Sequence, residues 1–377
     1  METLTTAQGT FRLSRYPEDK NNLLRAWDAA DEYLLNYFAE TTAPGPGLNI
    51  LVVNDSFGAL TVALAAHHVT SWTDSYLAEQ AARLNLEQNN LSTDGVKVIH
   101  STETPAGHFD VILIKIPKTL ALLEDQLARL RPLLVTETNI IASAMVKAIH
   151  SSTLKLFEKY LGHTHTSLAK KKARLVHSQL DVTLNPGNSP YPSRYLLEGT
   201  SYTITNHANV FSRASLDIGT RFFLQYLPCS EKYHRIIDLA CGNGVVGIIA
   251  AEKNPHAELF FLDESYMAVA SAEENFRNAF AENRHAVFKV SNGLQGIEKN
   301  SADLILNNPP FHQQHSITDE VAWTMFQQSK DVLRQDGELW VIGNRHLGYH
   351  VKLKKLFGNC KIVANNKKFV ILRALKK

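Results

Sequence analysis

At 377 residues the chain is longer than one ordinary hydrophobic core organises, so two domains are expected. Its 44% hydrophobic and 20% charged residues exclude the disordered and collagen-like classes. The net charge of +2 points to no partner by itself.

The chain opens with METLTTAQGTFRLSRYPEDKNN, which is polar, and no run approaches the roughly 20 apolar residues of a membrane helix. A cytoplasmic protein with no membrane contact is expected. Leu48 to Val53 (LNILVV) reads as a buried strand, followed by a turn at Gly58 and a helical run, ALTVALAAHH. Ser71 to Asp74 then leads into the helix YLAEQAARLNLEQNN, and FDVILIKIPK (109–118) is a further strand. The amphipathic run LALLEDQLARLRPLL follows it.

A basic cluster, Lys170-Lys171-Lys172 with Arg174, precedes Asn185 to Ser193 (NPGNSPYPS), a stretch of turn formers. The earlier order then begins again. Arg235 to Leu239 (RIIDL) leads through a glycine turn to VVGIIAAEK, and Leu259 to Asp263 leads to YMAVASAEENFRNAF. ADLILNNPPF (302–311) lays without a gap on residues 109–118, so that Asp303 matches Asp110, and VAWTMFQQSKDVL supplies the next helix. Strands alternating with helices predict an α/β fold with parallel sheets. The repetition predicts two such domains, residues 1–165 and 200–377, with 166–199 as a linker or bridging segment. From Leu339 to Lys377 the chain has ten Lys and Arg residues and no Asp or Glu. Both basic stretches suit RNA phosphates or a merely solvated face.

The chemistry-bearing residues lie in the second repeat. Its turn reads Asp238-Leu239-Ala240-Cys241-Gly242-Asn243-Gly244, and glycines there let the backbone bend sharply and approach a ligand. Gly242, Gly244 and Gly247 satisfy GxGxxG, with Asp263 near the spacing of a ribose-binding acid. That pattern leaves NAD and other adenosine ligands open. Asn308-Pro309-Pro310-Phe311 narrows the choice. The Asn308 side-chain carbonyl and the Pro309 backbone carbonyl are acceptors that can converge on one small donor, such as an exocyclic amine. Holding both amine hydrogens aims the nitrogen lone pair at an electrophile, and Phe311 offers a planar base a surface on which to stack. The three cysteines, Cys229, Cys241 and Cys360, are too scattered for a disulfide framework or a metal site, and no metal is expected.

These residues resemble the class I S-adenosylmethionine-dependent methyltransferases that carry an NPP[YF] motif. With HANVFSR (207–213), LDIG (216–219) and NPPFHQQH (308–315), the tandem layout is similar to the bacterial rRNA guanine-N2-methyltransferases with a duplicated domain, the RsmC/RlmG type. AWDAADEYLL (26–35), KIPKTLALLE (115–124) and STLKLFEKYLG (152–162) resemble the large-subunit, 23S rRNA branch rather than the small-subunit one.

The resemblance implies two Rossmann-like methyltransferase domains, the first degenerate. It implies S-adenosylmethionine as cofactor and 23S rRNA, naked or in a large-subunit assembly intermediate, as partner. Asp238, Gly242 and Gly244 would shape the methionine end of the pocket. Asp263 would accept from the ribose hydroxyls, with Glu264 assisting, and Asn292 would lie near the adenine. Phe211 would cover the cofactor, and Asn308, Pro309, Pro310 and Phe311 would hold the guanine. Ala240 stands where the family usually has the first glycine, which requires a negative φ there.

In the first repeat Lys115 and Lys118 take the places of Asn308 and Phe311, and Val52 that of Asp238. Lysine has only donors, so no amine clamp forms there. That half is expected to be silent and to meet RNA phosphates through Lys115, Lys118 and the Lys170 cluster, or to support its partner domain. Methylation of 16S rRNA, a glutamine or an adenine by the same clamp remains an alternative, as does a silent RNA-binding assembly factor.

Overall fold

The two apolar runs ending at Val53 and Leu239 become the central strands of two separate sheets. The computed structural model describes residues 2–18, 24–42, 47–281, 284–310 and 315–377, the side chains of residues 2 and 315–318 excepted. The chain divides into Met1–Tyr191 and Pro192–Lys377.

The first unit opens with a hairpin, β1 (Glu2–Thr6) and β2 (Gly9–Leu13), and helix α1 (Ala29–Thr41). There follow β3 (Asn49–Val53), α2 (Ala59–Ala63), β4 (His68–Thr73), α3 (Tyr76–Gln88), β5 (Val96–His100) and β6 (Val111–Lys115). The unit is completed by α4 (Leu120–Leu130), β7 (Asn139–Met145), α5 (Ser151–Tyr160), β8 (Thr164–Thr166) and β9 (Ala173–Ser178). Its seven-stranded sheet has the order β5-β4-β3-β6-β7-β9-β8.

The second unit repeats this plan. A hairpin of β10 (Ser193–Leu196) and β11 (Thr203–Asn206) precedes α6 (Ile218–Leu224), β12 (Arg235–Leu239), α7 (Val245–Lys253), β13 (Glu258–Asp263) and α8 (Tyr266–Phe280). Next come β14 (Ala286–Val290), β15 (Ala302–Asn307), α9 (His315–Val332) and β16 (Leu333–Asn344), then α10 (Tyr349–Phe357), β17 (Lys361–Asn365) and β18 (Phe369–Leu375). The sheet order is β14-β13-β12-β15-β16-β18-β17, with β18 antiparallel to both neighbours. Ile236, Ile237, Leu304, Ile305 and Leu306 are fully buried because helices cover both faces of the sheet. Burying each such side chain stabilises the unit by roughly 1.5–3 kcal/mol.

Strand register confirms the gap-free alignment of the repeats. Val52 pairs with Ser71 and Leu113 as Asp238 pairs with Phe261 and Leu306, so Lys115 and Asn308 occupy one position. Asp110 and Asp303 also do the same job. Asp110 accepts from the Asn49 N–H at 2.8 Å, and Asp303 from the N–H groups of His234 and Arg235, both at 2.8 Å. The domain boundary differs from the expected 1–165. Residues 164–166 form an edge strand of the first sheet and 173–178 the strand beside it, and β10 at 193 already belongs to the second unit, so 166–199 is no linker.

The opening hairpins carry no motif, yet each is pinned by one buried asparagine. Asn85 on α3 exchanges hydrogen bonds with the Ser14 backbone and donates to Phe57 O, while Asn275 on α8 exchanges them with Thr205 and donates to Asn243 O. Each asparagine thereby ties its hairpin to the turn after the central strand.

Ala240 departs from expectation. Its φ is +59°, in the left-handed region, and the equivalent Asn54 has φ +62°. The turn geometry is imposed by the fold, and alanine tolerates it at a cost of about 1–2 kcal/mol. Replacing Ala240 by Gly is expected to raise stability by about 0.5–1 kcal/mol after the added entropy of the unfolded glycine is counted. A higher urea midpoint at unchanged m-value is the measurement; a lower midpoint would refute the strain.

Candidate active site

β12, β13 and β15 end side by side, and the residues after each of them form the site. Gly242 has φ +54°, and nothing lies within 4 Å of where its Cβ would stand, so the turn borders open space on that side. Gly244 starts α7 with φ +80°, and a Cβ there would press 2.9 Å from the Ala272 methyl. The glycines thus serve two needs, close approach from outside at Gly242 and close helix packing at Gly244.

Asp238 is buried, and its Oδ2 accepts from the Gly247 N–H at 2.7 Å. Burial, reinforced by the Asp263 carboxylate and opposed by that hydrogen bond, pushes its carboxyl up to about 8. A raised carboxyl holds its proton in the fold while the unfolded chain loses it, so stability falls as pH rises from about 4 to about 8. Asp238→Asn is expected to flatten that dependence in denaturant titrations of the ligand-free protein. An unchanged slope across those pH values would show that another group carries it. Burial and the same acids also push the Cys241 thiol up, which keeps it from acting as a thiolate nucleophile. Cys229 donates to the Lys253 carbonyl at the end of α7, so it lies at the opposite edge of the sheet.

Asp263 closes β13. Its Oδ2 accepts from the Gly242 N–H at 3.0 Å and its Oδ1 from the Ser265 N–H at 3.1 Å, which ties the acid to the glycine turn. Glu264 follows it in the loop to α8. Asn292 lies in the loop after β14, where its carbonyl accepts from Gln328. Phe211 is half exposed on the segment between β11 and α6, which runs beside α8 through the His207 N–H to Ser271 Oγ and the Asn209 N–H to Met267 Sδ.

β15 ends at Asn307, and the next residue is Asn308. Its Nδ2 donates to Thr220 Oγ1 at 3.0 Å, while its Oδ1 is buried with no partner among the described residues. An orphaned buried carbonyl costs about 1–3 kcal/mol, and the Asn307 Oδ1 beside it is likewise without a partner among the described residues. Pro309 is buried and Pro310 exposed. Phe311, with His312, lies outside the described residues. Thr220 is a contact that sequence reasoning missed, although LDIG (216–219) adjoins it.

The equivalent place in the first unit is closed. Lys115 turns inward to Asp31 at 2.7 Å and Asp28 at 3.0 Å, and these acids hold it charged despite burial. Asn54, in place of Ala240, donates to Lys115 O and Gln126 Oε1, and Asp55 accepts from Thr61 where Gly247 serves Asp238. The expectation that Lys115 meets phosphates is therefore wrong. Lys118, Lys170, Lys171 and Lys172 are exposed, with Lys171 paired to Glu32. In the C-terminal run Lys352 pairs with Asp319 and Arg373 lies 3.7 Å from Glu338, whereas Lys354, Lys355, Lys361, Lys367 and Lys368 are exposed.

A seven-stranded sheet of order 3-2-1-4-5-7-6, with a glycine turn after the first strand and an acid ending the second, defines the class I methyltransferases. Residues 201–373 match the methyltransferase small domain and residues 1–182 the RLMG N-terminal domain. The chain is 50% identical to the ribosomal RNA large subunit methyltransferase G of Streptomyces avermitilis and 50% identical to that of Pseudomonas aeruginosa, with all of each chain covered. The protein of that name from Pseudoalteromonas translucida is 47% identical over 97% of this chain and 96% of its own. The chain belongs to the ribosomal RNA large subunit methyltransferase G family. Among solved structures, the T. thermophilus 16S rRNA N2 G1207 methyltransferase, RsmC, in complex with AdoMet and guanosine, has the same fold. The TM-score is 0.76 at 19% identity over 100% of this chain and 98% of that one.

Proposed function

We propose that the second unit grips the exocyclic amine of an unpaired guanine with Asn308 Oδ1 and the Pro309 carbonyl, and presents it for methylation at N2. In this reading the protein is an S-adenosylmethionine-dependent rRNA methyltransferase that acts on guanine N2 in 23S rRNA, which its membership of the large subunit methyltransferase G family supports. The observation that carries the residue assignment is the Oδ1 of Asn308, buried and without a partner among the described residues, one position past the end of β15, which pairs with β12. A guanine N2 paired in a helix is already engaged, so the base must be unpaired or flipped to reach that oxygen.

The donor set suits the cofactor: open space at Gly242, a buried acid at Asp238 and the Asp263 carboxylate at the end of β13. In this reading Asp238, Ala240, Gly242 and Gly244 cradle the methionine end. Asp263 and Glu264 take the ribose hydroxyls, Asn292 borders the adenine and Phe211 covers the pocket. S-adenosylmethionine supplies a methyl group activated by a sulfonium. Asn308 and Pro309 orient the amine lone pair toward that carbon by accepting its two hydrogens, and Pro310 stiffens the tip. Phe311 stacks on the base. The first unit, whose pocket is closed, supports RNA binding through Lys118 and Lys170–Lys172, on naked rRNA or on a large-subunit assembly intermediate in the cytoplasm. Among the described residues no helix is long and apolar enough to cross a membrane.

Incubation with labelled cofactor and, in parallel, 23S rRNA, large-subunit precursors, 16S rRNA and a release-factor protein tests the reading. Label in N2-methylguanine of 23S rRNA or its precursor is expected; label only in another substrate would overturn it.

A further inference from the structure

Asn308 acts only if its amide faces the right way, and nothing in the NPPF motif sets that. A side-chain amide has nearly the same shape when flipped, with a donor where the acceptor stood. A flipped Asn308 would present NH₂ to the substrate amine, two donors facing each other.

The element that fixes the flip comes from 88 residues upstream. Thr220 lies in the first turn of α6, and its Oγ1 receives the Asn308 Nδ2 at 3.0 Å. The same hydroxyl donates to Asp217 Oδ2 at 3.3 Å, and that carboxylate oxygen also caps α6 by accepting the Thr220 N–H at 2.8 Å. A carboxylate only accepts, so the hydroxyl proton is committed to Asp217 and Thr220 Oγ1 offers a lone pair to Asn308. An amide next to a committed acceptor turns its NH₂ inward and its carbonyl outward. We infer that Asp217 and Thr220 form a positioning relay that locks the Asn308 amide with Oδ1 toward the substrate amine.

The repeat supplies a second observation. Asp28 is the N-cap of α1 and Asp31 stands three residues on, the places that Asp217 and Thr220 hold in α6. Lys115 at the Asn308 position pairs with both acids. The link from helix start to strand tip thus exists in both units, built as an ion pair where the site is closed and as a neutral directional hydrogen bond where it is open. An acid at position 220 would accept from Asn308 as well, but it would add a charge beside the reacting amine; threonine gives direction without charge.

The relay rests on the assignment of Asn308 as the amine acceptor, and the test separates the two. Thr220→Val removes the hydroxyl while keeping the β-branched shape, and Thr220→Ser keeps the hydroxyl. Thr220→Val is expected to lower kcat by about 10–100-fold, with KM for cofactor and RNA little changed, as misorientation of one reacting group does. Thr220→Ser is expected to recover most of that loss. In an Asn308→Ala background Thr220→Val is expected to add nothing further, because the relay then has no amide to orient. Full activity of Thr220→Val with inactive Asn308→Ala overturns the relay and leaves the clamp standing. Equal loss in the Val and Ser variants also overturns it, since the hydroxyl is then not the acting group. Full activity of Asn308→Ala overturns the clamp itself.

Discussion

Asn308→Ala is expected to lower kcat for methyl transfer by about 10²–10³-fold or more while leaving cofactor affinity and RNA affinity close to those of the parent protein. The substitution removes the acceptor at Oδ1 without touching the glycine turn or Asp263, which lie on other strands. Preorganised polar groups aimed at the reacting centre are worth that much, because water admitted in their place must reorganise during the step. Single-turnover methylation, with calorimetric binding of the cofactor and filter binding of 23S rRNA, measures the three quantities. The change also removes the Asn308 Nδ2 to Thr220 Oγ1 hydrogen bond, so a stability loss of about 0.5–1.5 kcal/mol is expected beside the catalytic one. Weakened cofactor binding at unchanged kcat would place Asn308 in the cofactor pocket and not at the amine.

Lys115→Met is expected to destabilise the first unit by about 3–5 kcal/mol, the usual consequence of removing one partner from a buried ion pair. Asp31 is 6% exposed and, at a pH high enough to ionise it, would carry its charge without the lysine counter-ion. Burial, with Lys115 pulling the other way, already pushes its carboxyl up to about 6. For a raised carboxyl the folded state gains stability by protonation, so Asp31 costs the fold most above that pH and least below about 4. The variant should therefore lose more stability at pH 8 than at pH 5, where protonation removes the stranded charge. Hydrogen exchange of β3 and β6 in denaturant reads the first unit separately from the second. Equal losses at both pH values would mean that the lysine stem, and not its charge, supports the core.

Much of the plan is legible because it is local. Buried parallel strands leave continuous apolar runs such as ILVV and LILN, and a glycine turn followed by VVGIIAAEK announces a strand, a tight bend and a helix. Asp110 and Asp303 mark the repeat, and register bears them out. The turns of the two opening hairpins carry glycine, Gly9 and Gly199, but no local signal says where each hairpin docks. Their position depends on Asn85 and Asn275, asparagines inside helices whose partners lie about 70 residues away. Strands β8 and β9 were hidden for a related reason: two short strands joined by a lysine turn resemble a linker.

The sequence alone determined the α/β repeat, the glycine turn and the Asn-Pro-Pro stretch that follow strands of the second repeat, and the lysine that stands in place of Asn308 in the first, since these follow from residue type at fixed spacing. Only the tertiary structure decided that Ala240 takes a left-handed conformation, that Lys115 is buried against two acids and that the Asn308 amide donates to Thr220. The last two depend on where a distant helix start meets a strand tip. That meeting is fixed by sheet register and core packing, and no local spacing in the chain encodes it.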